Sequence, residues 1–376
     1  MDTIPFNRPP ITGREIDYLK QVIESGNLAG DGSYTRKCHA WLASQLGSPH
    51  ALLTHSCTGA LEIAALLCDI QPGDEVIMPS FTFVSTANAF VLRGATCVFV
   101  DIRADTLNLD ERLIEAAITD RTRAIVPVHY AGVGCDMDAI NAIAAAHGLK
   151  VLEDAAQGLG ATWRGRALGT LGDFGALSFH GTKNIVAGEG GALLVRDDAD
   201  AERAEILREK GTDRSRFLRG DVDKYTWQDV GSSYLPSELT AAFLLAQLED
   251  SQAITTRRLA AWQRYRDALL PLEAAGKLRL QAIPEEAQHN GHIFSLVLDS
   301  GTRRTHVLQA LRDEGIQATS HYVSLHTSPA GQRHGRTSGA LTVTEHVSSA
   351  QVRLPIYADI TEPDQARVIA TLCSAL

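Results

Sequence analysis

The chain has 376 residues, 44% hydrophobic and 21% charged, a globular composition that can fill two domains and leaves no room for a long disordered tail. Its formal charge of −10 opposes nucleic-acid phosphates, and the sequence holds no concentrated basic surface to offset it. No stretch reaches the ~18 apolar residues of a membrane span, and Met1-Asp-Thr-Ile-Pro-Phe-Asn7 has no signal-peptide core, so a cytoplasmic protein without nucleic-acid or membrane partners is expected.

In chain order, Thr12-x-x-Glu15 offers a capping box and predicts a first helix ending near Gly26, in a segment 1–30 that packs across the main domain. Residues 51–196 alternate short β-branched runs with amphipathic stretches, the pattern of an α/β domain with a mostly parallel sheet. The runs 75–78, 96–100, 123–128 and 150–153 read as buried strands, each followed by a turn and a helix. A helical tract over 237–270 connects to a smaller α+β region, with strands near 293–298 and 316–320 and helices near 304–314 and 364–375. The expected division is a large domain 1–245 and a small domain 246–376. The six cysteines lack Cys-x-x-Cys spacing and read as small buried hydrophobes, and the one close histidine pair, His289 and His292, lacks a third ligand. No metal is expected.

The chain lacks a dinucleotide glycine loop, a Walker loop and His-Glu-x-x-His. Attention therefore falls on polar residues at the carboxyl ends of predicted strands, where open α/β sheets bind ligands. Asp154 closes the run Val151-Leu-Glu-Asp, with Gln157 directed into the same cleft. A protonated pyridine nitrogen would suit it, since an ion pair ~4 Å apart at an effective dielectric of ~20 gives about 4 kcal/mol, about 3 pKa units. A ring kept cationic in this way makes pyridoxal phosphate an electron sink. Capping of the next helix is the alternative role for this acid.

Among seven lysines, only Lys183 has a site-like setting: Ser178-Phe-His-Gly-Thr-Lys-Asn184 follows a predicted strand and precedes Ala187-Gly-Glu-Gly-Gly191. Burial beside a cationic ring would lower its amine by roughly 3 pKa units or more, freeing it for Schiff-base formation and proton transfer; an ordinary loop cation is the other reading. Ser56-Cys-Thr-Gly-Ala60 precedes a helix and supplies an anion site for a phosphate, to which Ser178 could add a hydroxyl. Pro79-Ser-Phe-Thr-Phe83 brings aromatic rings to another strand end, for stacking on the cofactor or for the core.

Taken together, Gly73-Asp-Glu-Val-Ile-Met-Pro79, Thr82-Phe-Val-Ser-Thr-Ala-Asn88, Glu153-Asp-Ala-Ala-Gln157, Ser178-Phe-His-x-x-Lys-Asn184, Gly188-Glu-Gly-Gly191 and His321-Tyr-x-x-Leu-His326 span nearly the whole chain. The sequence resembles the DegT/DnrJ/EryC1/StrS family of sugar aminotransferases, which have the aspartate-aminotransferase-like fold type I of PLP-dependent transferases. The resemblance implies pyridoxal 5'-phosphate (PLP, or PMP when aminated) as cofactor and a catalytic set of Lys183, Asp154 and His180. It implies Lys183 as Schiff-base lysine, Asp154 at the pyridine nitrogen, Gln157 near the ring hydroxyl, and Thr58, Gly59 and Ser178 at the phosphate. Phe83 matches the stacking position, and His180 the substrate side.

Three positions depart from the family pattern. Gly231-Ser-Ser-Tyr-Leu235 stands where many members have Gly-x-Asn-x-Arg, so Ser233 replaces an Asn that reaches the neighbouring subunit's cofactor phosphate, and Leu235 replaces the Arg. Gly181 replaces a larger polar residue in the lysine loop. A homodimer with shared active sites is implied.

Residues 223–235 and Asn27-Leu-x-Gly-Asp-Gly32 look most like members that convert TDP-4-keto-6-deoxy-D-glucose and L-glutamate to TDP-4-amino-4,6-dideoxy-D-galactose and 2-oxoglutarate, a step of enterobacterial common antigen synthesis. A 3-keto sugar, the opposite amine stereochemistry and a non-catalytic PLP-binding regulator stay open, whereas a lysine at 183 weighs against the family's dehydratases, which carry His there. The basic stretch 208–219 reads as an exposed charged loop.

Overall fold

The computed structural model describes residues 2–376. Helix α1 (Glu15–Ser25) shows only half of the expected capping box: the Glu15 carboxylate accepts the amides of Thr12 and Gly13 at 2.8 and 2.9 Å, but Arg14 precedes the helix with no side-chain cap, and Gly26 ends the helix with φ 69°. Helix α2 (Ser33–Leu46) follows, its first turn held by buried Glu238, which accepts from the amides of Gly32, Tyr34 and Thr35. The chain then runs through β1 (His50–Thr54), α3 (Cys57–Leu67), β2 (Glu75–Pro79), α4 (Val84–Val91), β3 (Thr96–Val100), β4 (Thr122–Ile125), α5 (Met137–His147) and β5 (Lys150–Asp154). A short hairpin, β6 (Thr162–Trp163) and β7 (Arg166–Ala167), leads to β8 (Phe174–Ser178) and β9 (Gly191–Val195). Helices α6 (Asp198–Arg208), α7 (Arg214–Arg219), α8 (Glu238–Glu249) and α9 (Ser251–Ala274) come next. The last quarter comprises β10 (Arg279–Leu280), β11 (Ala287–Gln288), β12 (Phe294–Val297), α10 (Gly301–Asp313), α11 (Pro329–His334), β13 (Gly335–Thr337), α12 (Thr342–Ala350), β14 (Gln351–Leu354) and α13 (Glu362–Ala375).

Eight strands form the main sheet in the order β1-β9-β8-β5-β4-β2-β3-β13. All neighbours pair in parallel except β9, which is antiparallel to β1 and β8. Strands β2, β8 and β9 are buried at every position because helices cover both faces, which is why they read as unbroken apolar runs rather than alternating ones. A second sheet, β10-β12-β14, is covered by α9, α10 and α13 around Tyr265, Phe294, Val307 and Val368.

Several expectations need correction. Strand β3 leads to 3-10 turns at Glu111–Leu113 and Glu115–Ala117, and β5 leads to the β6–β7 hairpin, so neither is followed by an α-helix. The helical tract over 237–270 is two helices broken at Asp250, whose carboxylate pairs with Arg14. The break lets α8 stay sunk between α1, α2 and the sheet while α9 carries the chain across to the second sheet. Residues 316–320 make no strand; their backbone forms single bridges, Ile316 to Ile4 and Thr319 to Arg353, while Ile316 is buried in the core around the second sheet.

Two segments also cross the division expected at residue 245. Ile4 joins the core packed around the second sheet. Strand β13, from the C-terminal half, adds to the edge of the main sheet beside β3. Gly335 is needed there, since a Cβ would lie 2.4 Å from Phe99 Cε2.

Candidate active site

The carboxyl ends of β5 and β8, the N-terminus of α3 and residues after β2 open into one cavity of about 470 Å³, closed from the other side by β14 and residues 321–322. Its floor is rigid. Glu153 is fully buried, pairs with His129 Nε2 at 2.8 Å, and accepts the amides of Gly169, Leu171 and Gly172 at 2.8, 2.6 and 2.6 Å. One step along the strand the side-chain direction reverses, which points Asp154 into the cavity. Its Oδ2 accepts from Thr86 Oγ at 2.6 Å and its Oδ1 from the Ala156 amide at 3.1 Å. Thr82 stands 2.9 Å behind Thr86 and completes the relay.

Lys183 sits across from Asp154 in the loop after β8. The loop is a closed turn: the Lys183 amide donates to His180 O at 2.9 Å and the Gly181 amide to Gly188 O at 2.8 Å. Gly181 has no Cβ clash to avoid, its nearest neighbour being Gly188 O at 3.8 Å, so the glycine is not required by space. Burial lowers the Lys183 amine from its ordinary value, and the positive charge of Arg353 pushes the same way, outweighing the attraction of Cys57 and Asp154. The direction matches the expectation, while the cause visible in the protein is desolvation.

At the start of α3 the Ser56 hydroxyl accepts the Gly59 amide at 3.0 Å. Among the described residues the amides of Cys57 and Thr58 have no acceptor, so a helix N-terminus with two free donors faces the cavity. Gly191 makes this possible by passing so close that a Cβ would lie 2.4 Å from Cys57 N. Thr58 Oγ meets Ser85 Oγ at 2.8 Å, and Ser178 lies on the same wall. Gly59 is not on the lining, and its amide is already committed to Ser56.

The other expected residues divide as follows. Gln157 is buried, its carbonyl accepting the Ala131 amide at 2.6 Å and its amide donating to Tyr322 Oη at 3.1 Å. His180 lines the mouth with Nδ1 2.8 Å from Thr182 Oγ. Phe83, N-terminal to α4, also lines it and is 59% exposed. Ser233 does not reach this cavity; it is exposed and bridged to Glu209. The basic stretch 208–219 stays outside as well, with Arg208 paired to Asp31, Arg214 to Glu209 and Arg219 to Glu205.

The motif at His321 and Tyr322 was quoted from the sequence without a site role, and Arg353 was missed. His321 stacks on Tyr322 with ring centroids 4.0 Å apart, its Nδ1 is 3.3 Å from Tyr130 Oη, and its Nε2 meets the Arg353 guanidinium. Burial and Arg353 hold the imidazole down at about 2, so it is neutral. His292, deep in the cavity, is also held neutral by burial and bonds to Asn184 at 2.8 Å. The legible signal was a charged residue inside the otherwise apolar, buried run Val352-Arg-Leu354. Among the described residues no three His, Cys, Asp or Glu side chains are grouped to hold a metal, and no helix is long and apolar enough to cross a membrane.

Comparison with known proteins places this arrangement. The DegT/DnrJ/EryC1/StrS aminotransferase family model matches residues 9–373. The spore coat polysaccharide biosynthesis protein SpsC of Bacillus subtilis (strain 168) is 35% identical over 374 residues, covering 97% of this chain and 95% of its own. Aminotransferase TlmJ from Streptoalloteichus hindustanus superposes with a TM-score of 0.91 at 29% identity, over 100% of this chain and 99% of that one. Spr1654 from Streptococcus pneumoniae, solved in a PMP form, gives 0.91 at 26% identity over 100% and 98% of the chains; its PLP form gives 0.90 at 25%.

Proposed function

The chain belongs to the DegT/DnrJ/EryC1/StrS aminotransferase family, whose members depend on PLP, and from that premise we propose that it transfers an amino group from L-glutamate to the ketone of a nucleotide-linked sugar. The preferred substrate is TDP-4-keto-6-deoxy-D-glucose, giving TDP-4-amino-4,6-dideoxy-D-galactose and 2-oxoglutarate. One observation carries the reading: a desolvated amine at Lys183 and a buried, hydrogen-bonded acid at Asp154 share a cavity with two free helix-terminal amides.

The donor set fits PLP. The Cys57 and Thr58 amides with the Thr58 and Ser178 hydroxyls would hold the phosphate, Asp154 would face the pyridine nitrogen, and Gln157 the ring hydroxyl. Bound there, PLP supplies a sink for the electrons released when a proton leaves the carbon carrying the amine. Lys183 is the residue that takes and returns that proton, because burial, with the charge of Arg353, disfavours its protonated form. Phe83 lies where it would cover the ring face, and His180 lines the sugar side. Ser233, exposed and away from its own cavity, is suited to complete the site of a second copy in a homodimer. The polysaccharide-synthesis role of SpsC supports a sugar as acceptor.

The test is a panel of TDP- and UDP-linked 3-keto and 4-keto sugars incubated with holoenzyme and glutamate, with products read by mass and stereochemistry. The expected outcome is preferential amination of the TDP-4-keto sugar. Amination of none of them removes the substrate assignment. Borohydride reduction followed by peptide mapping, with the label on any residue other than Lys183, removes the chemistry.

A further inference from the structure

His292 lies just ahead of β12, 7% exposed, on the wall of the main cavity. Its neighbours fix where its proton sits. Asn184, the residue after Lys183, donates from Nδ2 to Asn290 O at 3.0 Å; a backbone carbonyl only accepts, so the other end of that amide is the oxygen. This Oδ1 meets His292 Nδ1 at 2.8 Å and likewise only accepts, so Nδ1 carries the proton. Burial first, then Lys183, Arg258 of α9, Arg353 of β14 and His321, keep the imidazole from taking a second one. Nε2 is therefore a bare acceptor, and among the described residues it makes no hydrogen bond. The ring is also held in place. Asn290 donates to Gln157 O and Leu159 O at 2.7 and 2.8 Å and accepts the His292 amide at 3.1 Å, while buried Arg258 donates to His292 O at 2.8 Å. A second cavity of about 10 Å³ shares Lys183, His292, Gln157 and Ser178 with the main one and adds Asn184 and Asn290. That is room for one water, and the polar lining supplies the two to four partners a buried water needs.

We propose that His292 is a positioning residue for Lys183: its bare Nε2 accepts from one water bound in the small cavity, and that water accepts from the Lys183 amine. The inference rests on the role given to Lys183 above. While the lysine is free of the cofactor, its amine has to stay within reach of the carbon that gives up a proton. The other groups facing it are unsuited to hold it. Asp154 is engaged by Thr86 and Ala156, burial keeps the Cys57 thiol protonated, and Arg353 repels the ammonium. Lys183 and His292 line the small cavity without bonding to each other, which leaves the water as their link. An acceptor favours the charged amine, so this water and His292 offset part of the desolvation that lowers the lysine.

The test is nitrogen NMR on the full chain loaded with PMP, a form in which Lys183 is free and nothing turns over. The seven lysines are labelled at Nζ, with Lys183 assigned from K183R, and the histidines at both ring nitrogens. H292N keeps a donor for Asn184 and lacks the outer nitrogen; H292Q keeps an acceptor at the outer position and loses the bond to Asn184. H292N is expected to lower the Lys183 midpoint by about one pH unit, the effect of losing a hydrogen bond to a charged group, and H292Q to recover most of that. At neutral pH the wild-type His292 ring is expected to be neutral, with Nδ1 protonated and Nε2 bare. A crystal structure of the same form should hold one water within hydrogen-bond distance of both Nε2 and Lys183 Nζ.

A ring protonated at Nε2, a small cavity that stays dry, or an H292N midpoint equal to wild type overturns the inference. So does the reverse order, H292Q shifted and H292N normal, which would make His292 a prop for Asn184 alone. The water and the histidine protonation state are read on wild type, so they decide the matter even where a variant fails to fold. If PMP-loaded wild type passes no amine to 2-oxoglutarate, the aminotransferase reading has failed; if it does and H292N titrates like wild type, only the role of His292 has.

Discussion

Glu75→Gln tests how the C-terminal half of the chain is fastened to the main sheet. Glu75 opens β2 with no exposed surface, and its carboxylate accepts from Arg336 of β13 at 2.7 and 3.1 Å, from Arg121 at 2.6 Å and from Thr119 at 2.9 Å. These donors, Arg336 first, hold the carboxyl well below the usual range, from 4.5 to about 2. At about 1.4 kcal/mol per pKa unit, that drop corresponds to about 3 kcal/mol of folding free energy. Solvent reaches the partners, with Arg121 67% and Arg336 36% exposed, and screening reduces the figure to about 2 kcal/mol.

The folded carboxyl titrates below the unfolded one, so its contribution is complete above the unfolded value and fades as pH falls through the folded value of about 2. Urea unfolding of wild type and E75Q at equal protein concentration should therefore differ by about 2 kcal/mol at neutral pH. The gap should narrow as pH falls from about 5 to about 3. A gap that stays constant over that range, or no gap at neutral pH, refutes the charge-based clamp.

Thr86→Val preserves shape and removes the hydroxyl donor to Asp154; the expected result is PLP affinity weakened by about 10-fold, from the loss of a hydrogen bond to a charged group, with far-UV circular dichroism unchanged. Equal PLP affinity in a fluorescence titration would show that Asp154 needs no such support. Gly191→Ala puts a methyl 2.4 Å from Cys57 N and forces the start of α3 away from β9. It should cost about 1–3 kcal/mol in stability, as overpacking does, and shed PLP on gel filtration; a variant that melts like wild type and retains cofactor contradicts the close approach.

The local pattern carried much of the fold. The bond from the Thr12 amide to the Glu15 carboxylate, the strands at 75–79, 96–100 and 150–154 and the helices 301–313 and 362–375 are set by short-range hydrogen bonding and by apolar spacing, which a sequence displays directly. Asp154 stood out because it closes a strand and Lys183 because it lies between a strand and a glycine-rich stretch, and strand ends of an α/β sheet converge on one edge. Other features depend on contacts far apart in the chain. The pairing of β13 with β3, the break at Asp250, the burial of Ile4 in the core around the second sheet and the company of Arg353 are decided by which surfaces meet after folding. No local spacing encodes that Glu75 answers Arg336 across 261 residues, or that no acid answers Arg353; those facts arise only when distant segments are brought into a desolvated interior, where each charge must find a partner or wait for one.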